Sequence, residues 1–234
     1  QGAAALTAAM LSQGGSLQMT YAEIVRALFP MAASINAQVD KEMTVFHGTT
    51  HLENLDKYYS LLRSMLLEPG WREDDLRRLR ADAINRLRIG LRGNNDEELG
   101  KEALYERIYE GHPYGHQSTG RVAALEKITL DDLKEFYRQN YRRSNLIIGL
   151  AGAYPEGFAD KVVSDFARLE AGPARPLALP EPQAAAKLRV RLIEKNTRAT
   201  AISLGFPLAV NRSSPDWPAL LVVQSYFGQH RSSK

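Results

Sequence analysis

GHPYGHQSTGRVAALEKITLDDLKEFYRQNYRRSNLIIGLAG, residues Gly111 to Gly152, holds the run of signals on which the reading of this 234-residue chain turns. Within it, Ile128-Thr129-Leu130-Asp131-Asp132-Leu133 is a helix start. Thr129 caps the first turn, Asp132 stands at the third helical position, and Ile128 can staple onto Leu133. The helix is expected to reach Tyr137 or beyond. Asn145 to Gly152 then reads as a buried strand, and Pro155 as the opening of a helix to Leu169. Upstream, the glycines of Gly111-His112-Pro113-Tyr114-Gly115 mark a loop.

Towards the start, AAALTAAML over Ala3 to Leu11 has high helix propensity, and Gly14-Gly15 supplies the stop. Thr20-Tyr21-Ala22-Glu23 is a second capping box, and Pro30 ends the helix it opens. From Ser34 to His47, Ile35, Ala37 and Val39 alternate with polar residues, as do Met43, Val45 and His47; two antiparallel strands turning near Asp40-Lys41 follow. Leu52 to Leu67 sets Leu55, Tyr58, Tyr59, Leu62, Met65 and Leu66 at helical spacing, closed by Pro69-Gly70. A long helix is expected from about Glu73 to Leu91, acidic at its start and striped by Leu76, Leu79, Ala83, Ile84 and Leu87. Gly93 breaks it, and Asp96 to Tyr109 continues as a further helix.

Beyond residue 152, GPARPLALPEPQAAA places four prolines between Pro173 and Pro182, a composition that suits a semi-rigid connector. Leu188, Val190 and Leu192 then alternate as a strand, Ala199 to Phe206 reads as another, and Ser214-Pro215 starts an apolar helix. The expected organisation is a first domain over 1–170, a linker over 171–186 and the start of a second domain over 187–234. Helices mixed with an antiparallel hairpin point to an α+β fold.

Composition excludes several classes. With 30 basic and 27 acidic residues spread along the chain, net +3, no nucleic-acid footprint is visible. There is no cysteine, so disulfides, thiolate metal sites and cysteine nucleophiles are absent. Trp217 to Phe227, the longest apolar stretch, is too short for a membrane span, which takes ~20 residues. Gln1 is not an initiator methionine and the residues after it read as mid-helix, so a removed signal peptide is compatible with this start; the chain also stops straight after a strong helix, and both ends read as cut.

The order of GHPYG, the Gly-containing turn Ser118-Thr119-Gly120, "ITLDDLKEFYRQNY", "NLIIGLAG", a helix, a Pro-rich linker and a second copy of the same start resembles the pitrilysin/insulinase-type zinc peptidases, the inverted zincins. The resemblance extends over nearly the whole chain. It implies a mixed, largely antiparallel sheet with helices on one face, a metallopeptidase-like half-barrel whose N-terminal strands are missing here, followed by the start of a similar second domain.

Active members of that family carry H-x-x-E-H on a helix, followed by Met-Leu and a Gly. Laid on Gly2 to Gly14, the flanking Gly2, Met10, Leu11 and Gly14 match without a gap, the two histidines fall on Ala5 and Ala9, and the glutamate on Ala8. The third ligand, a glutamate about seventy-five residues further on in the family pattern, falls near Arg86. Two imidazoles four residues apart bind one zinc and the carboxylate takes a proton from its water, so alanines and a guanidinium supply none of the chemistry. No Glu occurs between Glu73 and Glu97 to repair the frame. The resemblance thus implies a non-catalytic member with no catalytic residue, no metal and no cofactor.

Other residues invite sites. His47, His51 and Glu53 are zinc-type ligands and offer an alternative metalloenzyme, set against Gly48-Thr49-Thr50, which places them at a strand end and loop. His112 and His116 suggest a general-base pair, but the glycines around them favour a turn. Arg77, Arg78, Arg80, Arg86, Arg88 and Arg92 make the long helix basic, commonly a solvated face. No G-x-S-x-G elbow or phosphate loop is present.

By resemblance, members work as a clam-shell of two halves, and a motif-free half completes the chamber and helps hold peptide. The expected partner is a zinc-motif-bearing subunit in a heterodimer, or a second copy in a homodimer, with a peptide as substrate. A structural subunit without a peptide role is the alternative. A bacterial periplasmic or secreted location is the family-weighted expectation, with the cytoplasm as alternative.

Overall fold

The computed structural model describes residues 1–173, 179–180, 187–197, 200–208 and 210–229. The alanine-rich run forms helix α1 (Ala3–Gln13), entered from Gly2 in a left-handed conformation (φ +93°). The expected capping box at Thr20 is made: the Thr20 hydroxyl accepts from the Glu23 amide, the Glu23 carboxylate accepts from the Thr20 amide at 2.8 Å, and α2 (Tyr21–Leu28) follows. Next comes the hairpin of β1 (Asn36–Val39) and β2 (Thr44–His47), antiparallel with Asn36 opposite His47 and Val39 opposite Thr44.

A short turn at Leu52–Asn54 leads into α3 (Leu55–Leu67). The long basic helix is α4 (Glu73–Asn85), which widens into a π-type stretch over Arg86–Leu91. After it come α5 (Asp96–Ile108), capped by the Asn95 side chain on the Glu98 amide, then α6 (Val122–Leu125) and α7 (Leu130–Asn140). The capping box that opens α7 has both its bonds, Thr129 with Asp132. Helix α8 (Phe158–Phe166) starts three residues after Pro155, from a left-handed Gly157, so the proline opens a turn and not the helix itself. Helix α9 (Trp217–Gln224) follows Ser214-Pro215.

The core gathers along α1. Leu6 and Met10 pack with Leu76, Leu79, Ala83 and Leu87 of the α4 stripe, with Leu125, and with Leu130 and Leu133 of α7. A second cluster joins Ile24 and Leu28 to Met31, Ile35, Tyr58, Leu61 and Met65, and a third sets Tyr59 against Phe158, Val162 and Phe166. Ile128 lies against the first cluster beside the fully buried Leu133, as the staple reading expects.

Two glycines singled out in separate motifs meet. A Cβ built on Gly120 (φ +94°) would lie 2.7 Å from the Gly2 Cα, and one on Gly2 would lie 2.7 Å from Leu125 Cδ2. Only glycine combines that backbone conformation with so close an approach.

The expected strands outside the hairpin are not formed among the described residues. From 146 to 152 the backbone is irregular, and Ile147 is 95% exposed where burial was expected. Residues 188–192 and 200–206 are irregular as well, and Ala199 lies outside the described residues. Alternation selects a strand only where a neighbour supplies the ladder; with the hairpin as the one described sheet, these segments have none. The architecture is mixed α+β, predominantly helical, around a two-stranded antiparallel sheet.

Candidate functional site

Helix α1 packs against α4 and α7 and lies beside β1. Ala8 is 1% exposed, while Ala5 and Ala9 are half-buried and Ala9 rests on the first core cluster. The Ser12 hydroxyl, one turn on, donates to the Ala8 carbonyl at 2.8 Å. Arg86 stands where α4 passes into the π-type stretch, on the helix that packs on α1, but its side chain is exposed while Ala83 and Leu87 are buried. The four positions Ala5, Ala8, Ala9 and Arg86 therefore lie on two packed helices. Three methyl groups and a cation do not fit a zinc ion.

The other candidates resolve into local structure. His47 ends β2 and is exposed; His51 accepts from the Glu53 amide at 3.4 Å through Nδ1, 3.7 Å from the Glu53 carboxylate, with both side chains in solvent. Among the described residues no three His, Asp or Glu side chains come together as a metal site. The His112 ring caps the turn Pro113–Gly115: Nδ1 accepts from the Tyr114 amide at 3.0 Å, and Nε2 lies 2.7 Å from the Pro180 carbonyl. His116 contributes its backbone carbonyl, which accepts from Lys41 Nζ. The pair shapes a turn.

Three of the six arginines of the basic helix are paired at short range. Arg77 pairs with Asp74 at 3.0 Å, Arg78 with Asp75 at 2.9 Å, and Arg88 with Glu126 at 3.1 Å. Arg78 also donates to the Gln13 carbonyl at the end of α1, and Arg80 to the Ile128 carbonyl.

A cavity of about 590 Å³ opens beside Ala4 of α1, between the hairpin turn and α7, with Phe46, Phe136, Tyr137, Tyr141 and Phe166 on its walls. Tyr137 and Tyr141, one helical turn apart, stack at 5.1 Å, and the Tyr137 hydroxyl donates to the Leu66 carbonyl at 2.8 Å. Burial pushes both phenols up to about 12. Across the third core cluster, the Tyr59 hydroxyl donates to Asp165 at 2.9 Å, with Arg63 3.6 Å from that carboxylate; burial, then this hydrogen bond, raise the phenol well above its ordinary value. Sequence reading set Tyr59 on the helical stripe of Leu52 to Leu67 and gave Tyr137 and Tyr141 no role. The i, i+4 spacing of Tyr137 and Tyr141 was the available signal.

Comparison with known proteins bears on the whole arrangement. Residues 127–234 match the family model described as the peptidase M16 inactive domain. The probable mitochondrial-processing peptidase subunit beta of Arabidopsis thaliana is 24% identical over 217 residues, 92% of this chain and 40% of that protein. An uncharacterized zinc protease of Rickettsia felis is 23% identical over 155 residues, 66% of this chain and 36% of its own length. Among solved structures, a peptidase M16 inactive domain from Pseudomonas fluorescens superposes with a TM-score of 0.68 at 25% identity, covering 78% of this chain and 44% of that one. A protease from Helicobacter pylori shares the fold, with a TM-score of 0.61 at 19% identity over 78% of this chain and 43% of its own. The chain thus spans less than half the length of these relatives. The likeness to the pitrilysin/insulinase-type peptidases carried by Gly111 to Gly152 is borne out, through a match to the peptidase M16 inactive domain over residues 127–234 and a fold shared with the Pseudomonas domain.

Proposed function

We propose that this chain is a non-catalytic partner subunit of a zinc-dependent peptidase, completing the substrate chamber and helping to hold the peptide. The observation that carries the reading is the frame on α1: Gly2, Met10, Leu11 and Gly14 keep their places while Ala5, Ala8 and Ala9 occupy the ligand and base positions, and Arg86 stands on the packed helix near the third. Neither a Lewis acid nor a general base can be assembled from these side chains.

Peptide holding fits two local features. In the described sheet β1 is hydrogen-bonded to β2 along one edge only, and an extended peptide adds to such an edge through its backbone. The aromatic cavity beside Ala4 has a volume ordinary for a side-chain pocket. Within this proposal, 1–170 and 187–234 belong to successive domains joined by the proline-rich linker 171–186, and the second has the peptidase-like form of the first. The location that accompanies it is the bacterial periplasm or exterior, which fractionation of the source cells tests.

The decisive experiment is zinc analysis and a peptide-cleavage assay on the homogeneous full-length protein, alone and mixed with a motif-bearing subunit. No bound zinc, no cleavage alone and cleavage on mixing are expected. Chelator-sensitive cleavage by the isolated protein overturns the proposal. A stable complex with no effect on peptide turnover replaces it with a structural-subunit role, and stoichiometric zinc lost on His47→Ala replaces it with the His47, His51 and Glu53 alternative.

A further inference from the structure

Downstream of the linker, two irregular segments have residues against α5. Lys195 Nζ pairs with Asp96 Oδ1 at 2.5 Å and donates to the carbonyls of Arg92 and Gly93 at 2.6 and 3.0 Å, and the Thr197 hydroxyl donates to Asp96 Oδ2 at 2.7 Å. Arg191 pairs with Glu106 at 2.7 Å, and Arg189 with Glu110 at 3.4 Å. The order is antiparallel, Lys195 at the start of the helix and Arg189 past its end. The lengths agree: Asp96 to Glu110 spans roughly 21 Å at helical rise, and Arg189 to Lys195 roughly 20 Å extended.

The second segment adds contacts of another kind. A Cβ on Gly100 would lie 2.7 Å from Ser203 Oγ, and one on Gly205 would lie 3.2 Å from Leu104 Cδ2. Small residues thus bring 203–205 close to the same helix. In both segments mostly polar or small residues stand on the α5 side, with Ile193 at 38% exposure the apolar exception, while their alternating neighbours face solvent: Leu188, Val190 and Leu192 are 80–85% exposed, and Ile202, Leu204 and Phe206 are 68–89% exposed. Apolar burial therefore adds little to the docking of the first segment. Charge holds it, and the hydrogen bonds from Arg191 and Lys195 depress Glu106 and Asp96 below the ordinary carboxylate range.

We propose that residues 189–197 form an electrostatic clasp on α5, a reversible ion-paired strap that fastens the segment after the linker to the first domain and opens as ionic strength rises. The Arg189–Glu110 and Arg191–Glu106 pairs are half-exposed or more, the situation in which salt screens most effectively, while Lys195–Asp96 is the more sheltered anchor at about one-fifth exposure. The inference is independent of the proposed role in peptide processing.

The test is limited trypsin digestion of the full-length protein, since trypsin cuts after Arg189, Arg191 and Lys195, with cleavage timed by mass spectrometry relative to an unstructured reporter peptide in the same tube. Raising salt from about 20 mM to about 0.5 M should accelerate cleavage at these residues about fivefold. The double variant Asp96→Asn, Glu106→Gln should be cut at low salt as fast as the wild type is at high salt. Wild-type cleavage that ignores salt overturns the clasp, as does a folded double variant cut no faster than wild type. If the double variant loses its thermal transition, the wild-type salt series decides alone.

Discussion

At the scale of single residues, the phenols on α7 make the clearest claim. Tyr137 and Tyr141 are neutral in the fold and pushed up to about 12 by burial, while an unfolded tyrosine ionises near 10. A raised folded value means that the stabilisation is fully present below about pH 10 and is lost as pH rises towards 12. Absorbance titration of tyrosinate should therefore show Tyr137 and Tyr141, together with the raised phenols of Tyr58 and Tyr59, lagging the exposed ones, and all four should titrate normally in denaturant. Ala8 gives a second prediction at this scale. It is 1% exposed against the core, so Ala8→Glu alone buries a carboxylate with no metal to receive it and should lower stability by about 2–4 kcal/mol in denaturant titration.

Elements were legible in the sequence to the extent that their causes are local. Both capping boxes, at Thr20 and Thr129, have the hydrogen bonds their spacing implies, because a hydroxyl and a carboxylate three residues apart close on each other whatever the rest of the chain does. Thr129→Ala should cost about 1 kcal/mol of stability, read as a shifted denaturant midpoint. The glutamate and aspartate of these boxes are held below the ordinary carboxylate range, chiefly by hydrogen bonds from Thr20 and Thr129. Each contribution is present above that range and fades as pH falls through the lowered folded values. Strands were legible only where the partner was a near neighbour: the hairpin at 36–47 forms with its expected turn, whereas 146–152 has the right residues and no ladder to join. The proposed site reads from the sequence as a frame on α1. The exposure of the Arg86 side chain does not, because it depends on which stripe of α4 turns towards α1.

For the whole molecule, stability rests on the cluster where α1, α4, α6 and α7 converge. Leu133 is fully buried there, and Leu133→Ala should destabilise by about 2–5 kcal/mol, with a lower thermal midpoint. The same convergence is closed at one corner by Gly2 against Gly120. Gly120→Ala would set a methyl group 2.7 Å from the Gly2 backbone at a left-handed φ, at a cost of about 1–3 kcal/mol. That contact also has a temporal side. The Gly2 end of α1 closes against a residue made more than a hundred positions later, so during synthesis this corner stays open until the turn at Gly120 has cleared the exit tunnel, although α1 can already meet β1, α3 and α4. At ~5–20 residues per second the stretch from Gly2 to Gly120 takes roughly 6–24 s to make, and for that interval the corner lacks the contact that closes it.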